Sequence, residues 1–135
     1  MSFEMLVAVL ILVAILLVTA FLVVKFVPKR TKKSTFQTKW KEIYKFCKHK
    51  ETWPSALVRA DDLLDMALKR RRYKGKNMGE RLVAAQKVFT DNDGLWHAHK
   101  LSVKARDHPR LRLKEKDVKD ALTSVRQGLK DLDVI

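Results

Sequence analysis

The residues of this chain that could carry chemistry fall into a few groups. His97 and His99 stand two apart, Asp61, Asp62 and Asp65 crowd one segment, and Arg106 and His108 close a charged stretch ahead of Pro109. A histidine pair suggests a metal, but side chains two apart on a helix diverge by about 200°, since each residue turns the chain about 100°. The two rings cannot share one ion. His99 reads instead as a core-edge histidine with a hydrogen-bonded ring, and His97 as a surface residue. The three carboxylates have Arg59 and Lys69 at ordinary helix spacing, so they read as solvated ion pairs rather than a catalytic dyad. The string Lys69-Arg70-Arg71-Arg72-Tyr73-Lys74-Gly75-Lys76 supplies six cations (Lys69, Arg70, Arg71, Arg72, Lys74 and Lys76) able to meet phosphates or an anionic surface. The same cations complement a helix C-terminus. No Gly-rich phosphate loop, Cys/His zinc pattern, nucleophile elbow or internal repeat occurs in the sequence, which therefore implies no catalytic residue, no cofactor and no metal. The single cysteine, Cys47, cannot make an internal disulfide and reads as a half-buried helix residue.

The elements that must position these groups are all helical. Met5 to Val24 is a twenty-residue stretch whose only polar member is Thr19. At ~1.5 Å per residue a helix of that length covers the ~30 Å hydrocarbon core of a bilayer. A cleaved signal peptide would have a basic start, a shorter apolar core and a small-residue cleavage site. Here the start carries Glu4, and the exit reads Lys25-Phe26-Val27-Pro28-Lys29-Arg30, so residues 1–27 are predicted to stay as a single membrane anchor. Lys25, Lys29, Arg30, Lys32 and Lys33 flank it on one side, and translocation disfavours such residues close to a span. The N-terminus is accordingly expected outside and the remainder in the cytoplasm.

Residues 28–50 are predicted to be a basic juxtamembrane segment with a first amphipathic helix, carrying Phe36, Trp40, Ile43 and Cys47 on one face to about His49. Residues 51–135 are predicted to complete an up-and-down bundle. Its second helix runs from Thr52-Trp53-Pro54 to about Arg72 through Leu57, Ala60, Leu64, Ala67 and Leu68. Asn77 and Glu80 have capping-box spacing ahead of a third stripe of Leu82, Ala85, Val88 and Phe89. Asp91 to Gly94 is read as a turn. A fourth helix follows from Leu95 to about Asp107, with Leu95, Trp96, His99 and Val103 inward. A fifth carries Val118, Ala121, Leu122, Val125, Leu129 and Leu132 on one continuous face. The fold class expected is all-α, a single N-terminal transmembrane helix followed by this bundle.

A net charge of +14 invites a nucleic-acid partner, yet the excess is unevenly placed. Between Lys25 and Lys50 there are ten Lys or Arg against one acid, Glu42. Beside a membrane such cations set topology and attract anionic lipid. Aromatic residues are not interleaved with the basic runs as a platform for stacking single-stranded bases requires.

Leu95-Trp96-His97-Ala98-His99-Lys100-Leu101, with the polar stretch Ser102 to His108, Pro109 and a final long helix, resembles the penultimate helix of small bacterial HEPN-like bundles. The Trp53-Pro54 helix with Asp61, Leu64 and Leu68, and Met78-Gly79-Glu80-Arg81-Leu82, are similar to that group as well. The resemblance covers roughly residues 36–132. It implies a four-helix bundle, often dimeric, which in active members cuts RNA with an arginine that binds phosphate and a histidine that assists attack by the ribose hydroxyl. In the family four to six residues intervene between the arginine and the histidine, and Leu101, Ser102 and Val103 occupy the corresponding positions before His108. Asp107 stands where the aligned histidine is expected. No residue inherits the catalytic role; Arg106 and His108 come nearest to such a pair.

The sequence thus describes a single-pass membrane protein presenting a basic helical interaction module to the cytoplasm, with a membrane-tethered endoribonuclease of the HEPN kind, or an RNA-binding protein, as the alternative. The bilayer is the partner of the anchor. For the module a protein, anionic lipid and nucleic acid are all candidates, and a homodimer remains open. Ala8, Ala14 and Ala20 are six apart and the span has no glycine, so it lacks a close-packing motif that would argue for pairing through the anchor.

Overall fold

The computed structural model describes residues 2–26 and 33–135, which fall into two compact units. The first is a lone helix, α1 (Phe3–Phe26), 24 residues long. None of its residues is buried, and its charged residues, Glu4 and Lys25, sit in its first and last turns. It is long and apolar enough to cross a membrane. Thr19 is accommodated by donating its hydroxyl back to the carbonyls of Ile15 (3.0 Å) and Leu16 (2.9 Å), so its polar group has a partner within the helix.

The second unit contains α2 (Lys33–Lys45), a 3-10 turn (Lys50–Thr52), α3 (Trp53–Arg70), α4 (Met78–Ala84), α5 (Asn92–Asp107) and α6 (Glu115–Asp131). There is no strand among the described residues, and the expected helical bundle is what forms. Helix α3 lies at its centre and packs against α2, α5 and α6. Opposed pairs give the directions. Arg59 lies over the Phe46 ring and Lys39 reaches Met66, so α2 and α3 run antiparallel. Arg71 reaches past the last turn of α6, so α3 and α6 run parallel. The core is Phe36, Trp40 and Ile43 from α2, Leu57, Leu64 and Leu68 from α3, and Leu129 with its stripe from α6. Gly128 allows α6 to come close: a Cβ there would stand 3.0 Å from Leu95 Cδ2 and 3.4 Å from Leu64 Cδ1.

Four local expectations are corrected by the structure. Helix α2 stops at Lys45, because Phe46 and Cys47 close tighter i→i+3 turns and Thr52 Oγ1 donates to the Phe46 and His49 carbonyls (2.6 and 2.9 Å). Helix α4 ends at Ala84 and leaves Val88 exposed, while Ala85 and Phe89 are buried. The amide of Asn92 donates to the carbonyls of Gln86 (2.9 Å) and Phe89 (3.3 Å), which supplies partners in the irregular stretch that follows. Asp91 is not part of a free turn but the N-cap of α5, accepting the Gly94 N–H at 2.9 Å, so Asn92 already belongs to the helix. In α5 the inward face is Leu95, Ala98, Ser102 and Ala105, and Val103 points to solvent.

Candidate functional site

Two helices end side by side. At the C-terminus of α3 the Arg72 N–H returns to the Lys69 carbonyl and the Tyr73 N–H to Leu68, with Arg72 at φ 64°. At the C-terminus of α6 the Asp133 N–H returns to Lys130 and the Val134 N–H to Leu129, with Asp133 at φ 54°. Both are Schellman endings in which a non-glycine residue takes the left-handed position, a conformation that disfavours a side chain by roughly 1–2 kcal/mol. Arg71 joins them: its Nε donates to the Leu132 carbonyl (2.7 Å) and its Nη2 to the Asp133 carbonyl (2.8 Å). Lys33, the first residue of α2, donates from Nζ to Asp133 Oδ1 at 3.1 Å. That contact holds the Asp133 carboxyl below the usual carboxylate range. The start of α2 and the ends of α3 and α6 therefore share one end of the bundle, the proximal end, so named because α2 is the next described helix after α1 in the sequence.

The candidate cations divide there by role. Arg71 is occupied with backbone carbonyls, and Lys69 Nζ stands 3.4 Å from Asp65. Arg70, Arg72, Lys74 and Lys76 are exposed. Their loop is fixed rather than loose. Glu80 Oε2 accepts the Lys76 N–H (2.6 Å), Asn77 Oδ1 accepts the Glu80 N–H (2.9 Å), and Arg81 Nη1 donates to the Gly75 carbonyl (2.7 Å). Gly75 must be a glycine for this approach, since a Cβ would fall 2.8 Å from the Arg81 nitrogen. Of the cations flanking the apolar stretch, Lys25 lies in the last turn of α1 and Lys33 begins α2, whereas Lys29, Arg30 and Lys32 lie outside the described residues.

A second polar group lines the contact of α3 with α4 and α5, and it corrects the reading of the aspartates as solvated helix-spaced pairs: Asp61 and Asp62 find their partners on α5, and Asp65 adds a cross-helix partner to the helix-spaced Lys69. Asp61 is buried, and both its oxygens are within 3.1 Å of His99 Nδ1. The hydrogen bond to Asp61 raises the His99 pKa above its ordinary value, outweighing burial, which pushes it down. Asp65 is held bidentately by Arg81 (2.6 and 3.0 Å). Burial pushes the Asp65 carboxyl up, but the Arg81 hydrogen bond and charge, with Lys69 beside it, leave it below the usual range. Only Asp62 remains a surface pair, 2.7 Å from Arg106. Arg81 and its clamp on Asp65 were missed from sequence. The available signal is spacing, since Arg81 is three residues after Met78 and four before Ala85, on the buried face of its segment.

Around the positions of the HEPN-like motif, Ser102 is buried and donates its hydroxyl to the His99 carbonyl (2.7 Å). Arg106 is committed to Asp62, and His108 is exposed beyond the last turn of α5. Among the described residues no group of three or more His, Cys, Asp or Glu side chains is placed to hold a metal ion. A groove of about 390 Å³ on the other side of the bundle is lined by Tyr44, Trp53, Val118, Leu122 and Arg126, among others. Compared with protein-family models, curated proteins and solved structures, the chain matches none.

Proposed function

We propose that the chain is a single-pass membrane protein whose anchor holds a basic helical interaction module at the cytoplasmic surface. The observation that carries this reading is α1: 24 residues, apolar all round, charged only in its first and last turns, with no residue buried against protein. A helix of that composition is at home in hydrocarbon. The cations on its C-terminal flank favour retention of that side in the cytoplasm. Binding rather than cleavage is supported by the helix α5 geometry, where a buried serine stands among the positions of the family's phosphate-binding arginine and Arg106 is engaged by Asp62.

Reporter fusions placed after Ile135 test the topology. A fluorescent protein there is expected to fold and glow, alkaline phosphatase to stay inactive, and the chain to resist extraction by alkaline carbonate. Active phosphatase, or release of a shortened chain, overturns the reading. RNA cleavage by the full chain that is abolished by both Arg106→Ala and His108→Ala would overturn its non-catalytic part.

A further inference from the structure

We propose that the proximal end of the bundle is a docking surface for anionic lipid headgroups of the same membrane that α1 enters. The inference rests on the anchor reading and names the partner of the basic cluster. Two independent placements carry it.

The first is connectivity. Seven residue steps separate Phe26 from Lys33, a reach of at most about 25 Å at ~3.3–3.6 Å per residue. Lys33 opens α2 and is bonded to Asp133, whose carbonyl accepts from Arg71. The end of the bundle carrying Lys69, Arg70, Arg72, Lys74 and Lys76 is therefore the end tethered on this short leash. The cluster lies 36 or more residues from Lys33 in sequence, and only the fold brings it to the tethered end.

The second is charge. Among the acids of this region, Asp133 is paired with Lys33 and Asp65 with Arg81 and Lys69, while Asp131 accepts hydrogen bonds from Thr90 and Gln127. Glu80 is turned to the Lys76 backbone N–H. Arg70, at the end of α3, and Arg72, Lys74 and Lys76, on the loop that follows, are left exposed, and Arg81 and Asn77 fix the backbone of that loop. Basic residues next to an anionic bilayer each strengthen association roughly fivefold, and the effect fades within a Debye length. A nucleic-acid phosphate would meet the same charges, but the leash keeps the cluster near lipid headgroups at high local concentration.

The test uses the full chain reconstituted into vesicles of phosphatidylcholine alone, or with about a third phosphatidylglycerol, enough to give the surface a negative potential. Lysines are acetylated with a membrane-impermeant reagent and read by mass spectrometry. Lys69, Lys74 and Lys76 are expected to be protected several-fold in the anionic vesicles and to lose that protection at about 0.5 M salt. Lys114 and Lys116, at the start of α6 and so at the opposite end, are expected to react equally in both. A variant with Arg70→Ser, Arg72→Asn, Lys74→Ser and Lys76→Ser, its helix content checked by circular dichroism, is expected to lose the protection of Lys69. Asparagine is chosen at position 72 because it tolerates the left-handed backbone.

Equal labelling in the two vesicle types, or equal protection at Lys114 and Lys116, overturns the proposal. So does protection that appears on neutral vesicles only when RNA is added and is absent on anionic ones. Flotation with neutral vesicles reports the anchor separately. A chain that floats but shows no protection sinks the lipid surface alone, and one that does not float sinks the anchor and the surface together.

Discussion

Helices α1 and α6 are both built around leucine and valine, yet they bury them in opposite ways. Every described residue of α1 is exposed and its side chains are apolar on all sides; in α6 the apolar residues form one stripe, and Leu129 is fully buried while Lys119, Arg126 and Lys130 face water. The lesson is that a helix specifies its solvent by how its apolar residues are distributed, not by how many it has. A stripe asks for protein on one side and water on the other. An unbroken cylinder asks for lipid.

The comparison breaks most visibly in α1. Val13→Arg with Leu16→Arg puts two charges at its middle, where each opposes insertion by about 2.5–3.5 kcal/mol. The protein is expected to leave the carbonate-resistant membrane fraction. Thr123→Arg on the exposed face of α6 is expected to change stability by less than about 0.5 kcal/mol. If both chains stay membrane-bound, α1 does not require hydrocarbon around it.

Within the bundle, depth of burial sharpens the contrast. Leu129→Ala removes a side chain with no solvent contact and is expected to destabilise by about 3–5 kcal/mol, whereas Leu122→Ala opens onto the groove beside Tyr44 and Trp53 and should lie nearer 2 kcal/mol. Denaturant unfolding of the full chain in micelles, followed by tryptophan fluorescence, measures both. Equal losses would mean that the groove is closed in solution.

The smallest effect concerns His99. Because its pKa is raised in the folded state by Asp61, the stabilisation is fully present below the unfolded value of about 6.5 and is lost as pH rises through the folded value. Unfolding midpoints should fall as pH is raised from about 6.5, and His99→Gln should flatten that slope. Asp65 acts in the opposite sense at acid pH, where stability is lost as its carboxylate protonates below about 3.8. A slope unchanged in His99→Gln would place the proton elsewhere.

Much of the fold was legible because the large apolar stripes of α3 and α6 repeat at three and four residues over four turns or more. Helix α5 was harder. Its inward face is built largely from Ala98, Ser102 and Ala105, small residues chosen for close approach, so hydrophobicity pointed wrongly to Val103. The early end of α4 depends on an amide from Asn92, and such a backbone rescue leaves no periodic trace. At the candidate site the cations could be named from sequence. Their sorting into a clamp, Arg71, and free charges, Arg70, Arg72, Lys74 and Lys76, depends on carbonyls some sixty positions further along. The pairs Asp61 with His99 and Asp65 with Arg81 join different elements, so local spacing could find Lys69 beside Asp65 but not the cross-helix partners that hold both aspartates.

The clasp of Lys33 and Arg71 on residues 132 and 133 also sets a clock for biogenesis. Lys33 must wait for Asp133, 100 residues downstream. At about 5–20 residues per second that interval is roughly 5 to 20 s, during which α2 can already pack on α3 while its first turn stays unlatched. A ribosome stalled before residue 132 would leave α2 held through α3 alone, with the clasp at that end of the bundle open.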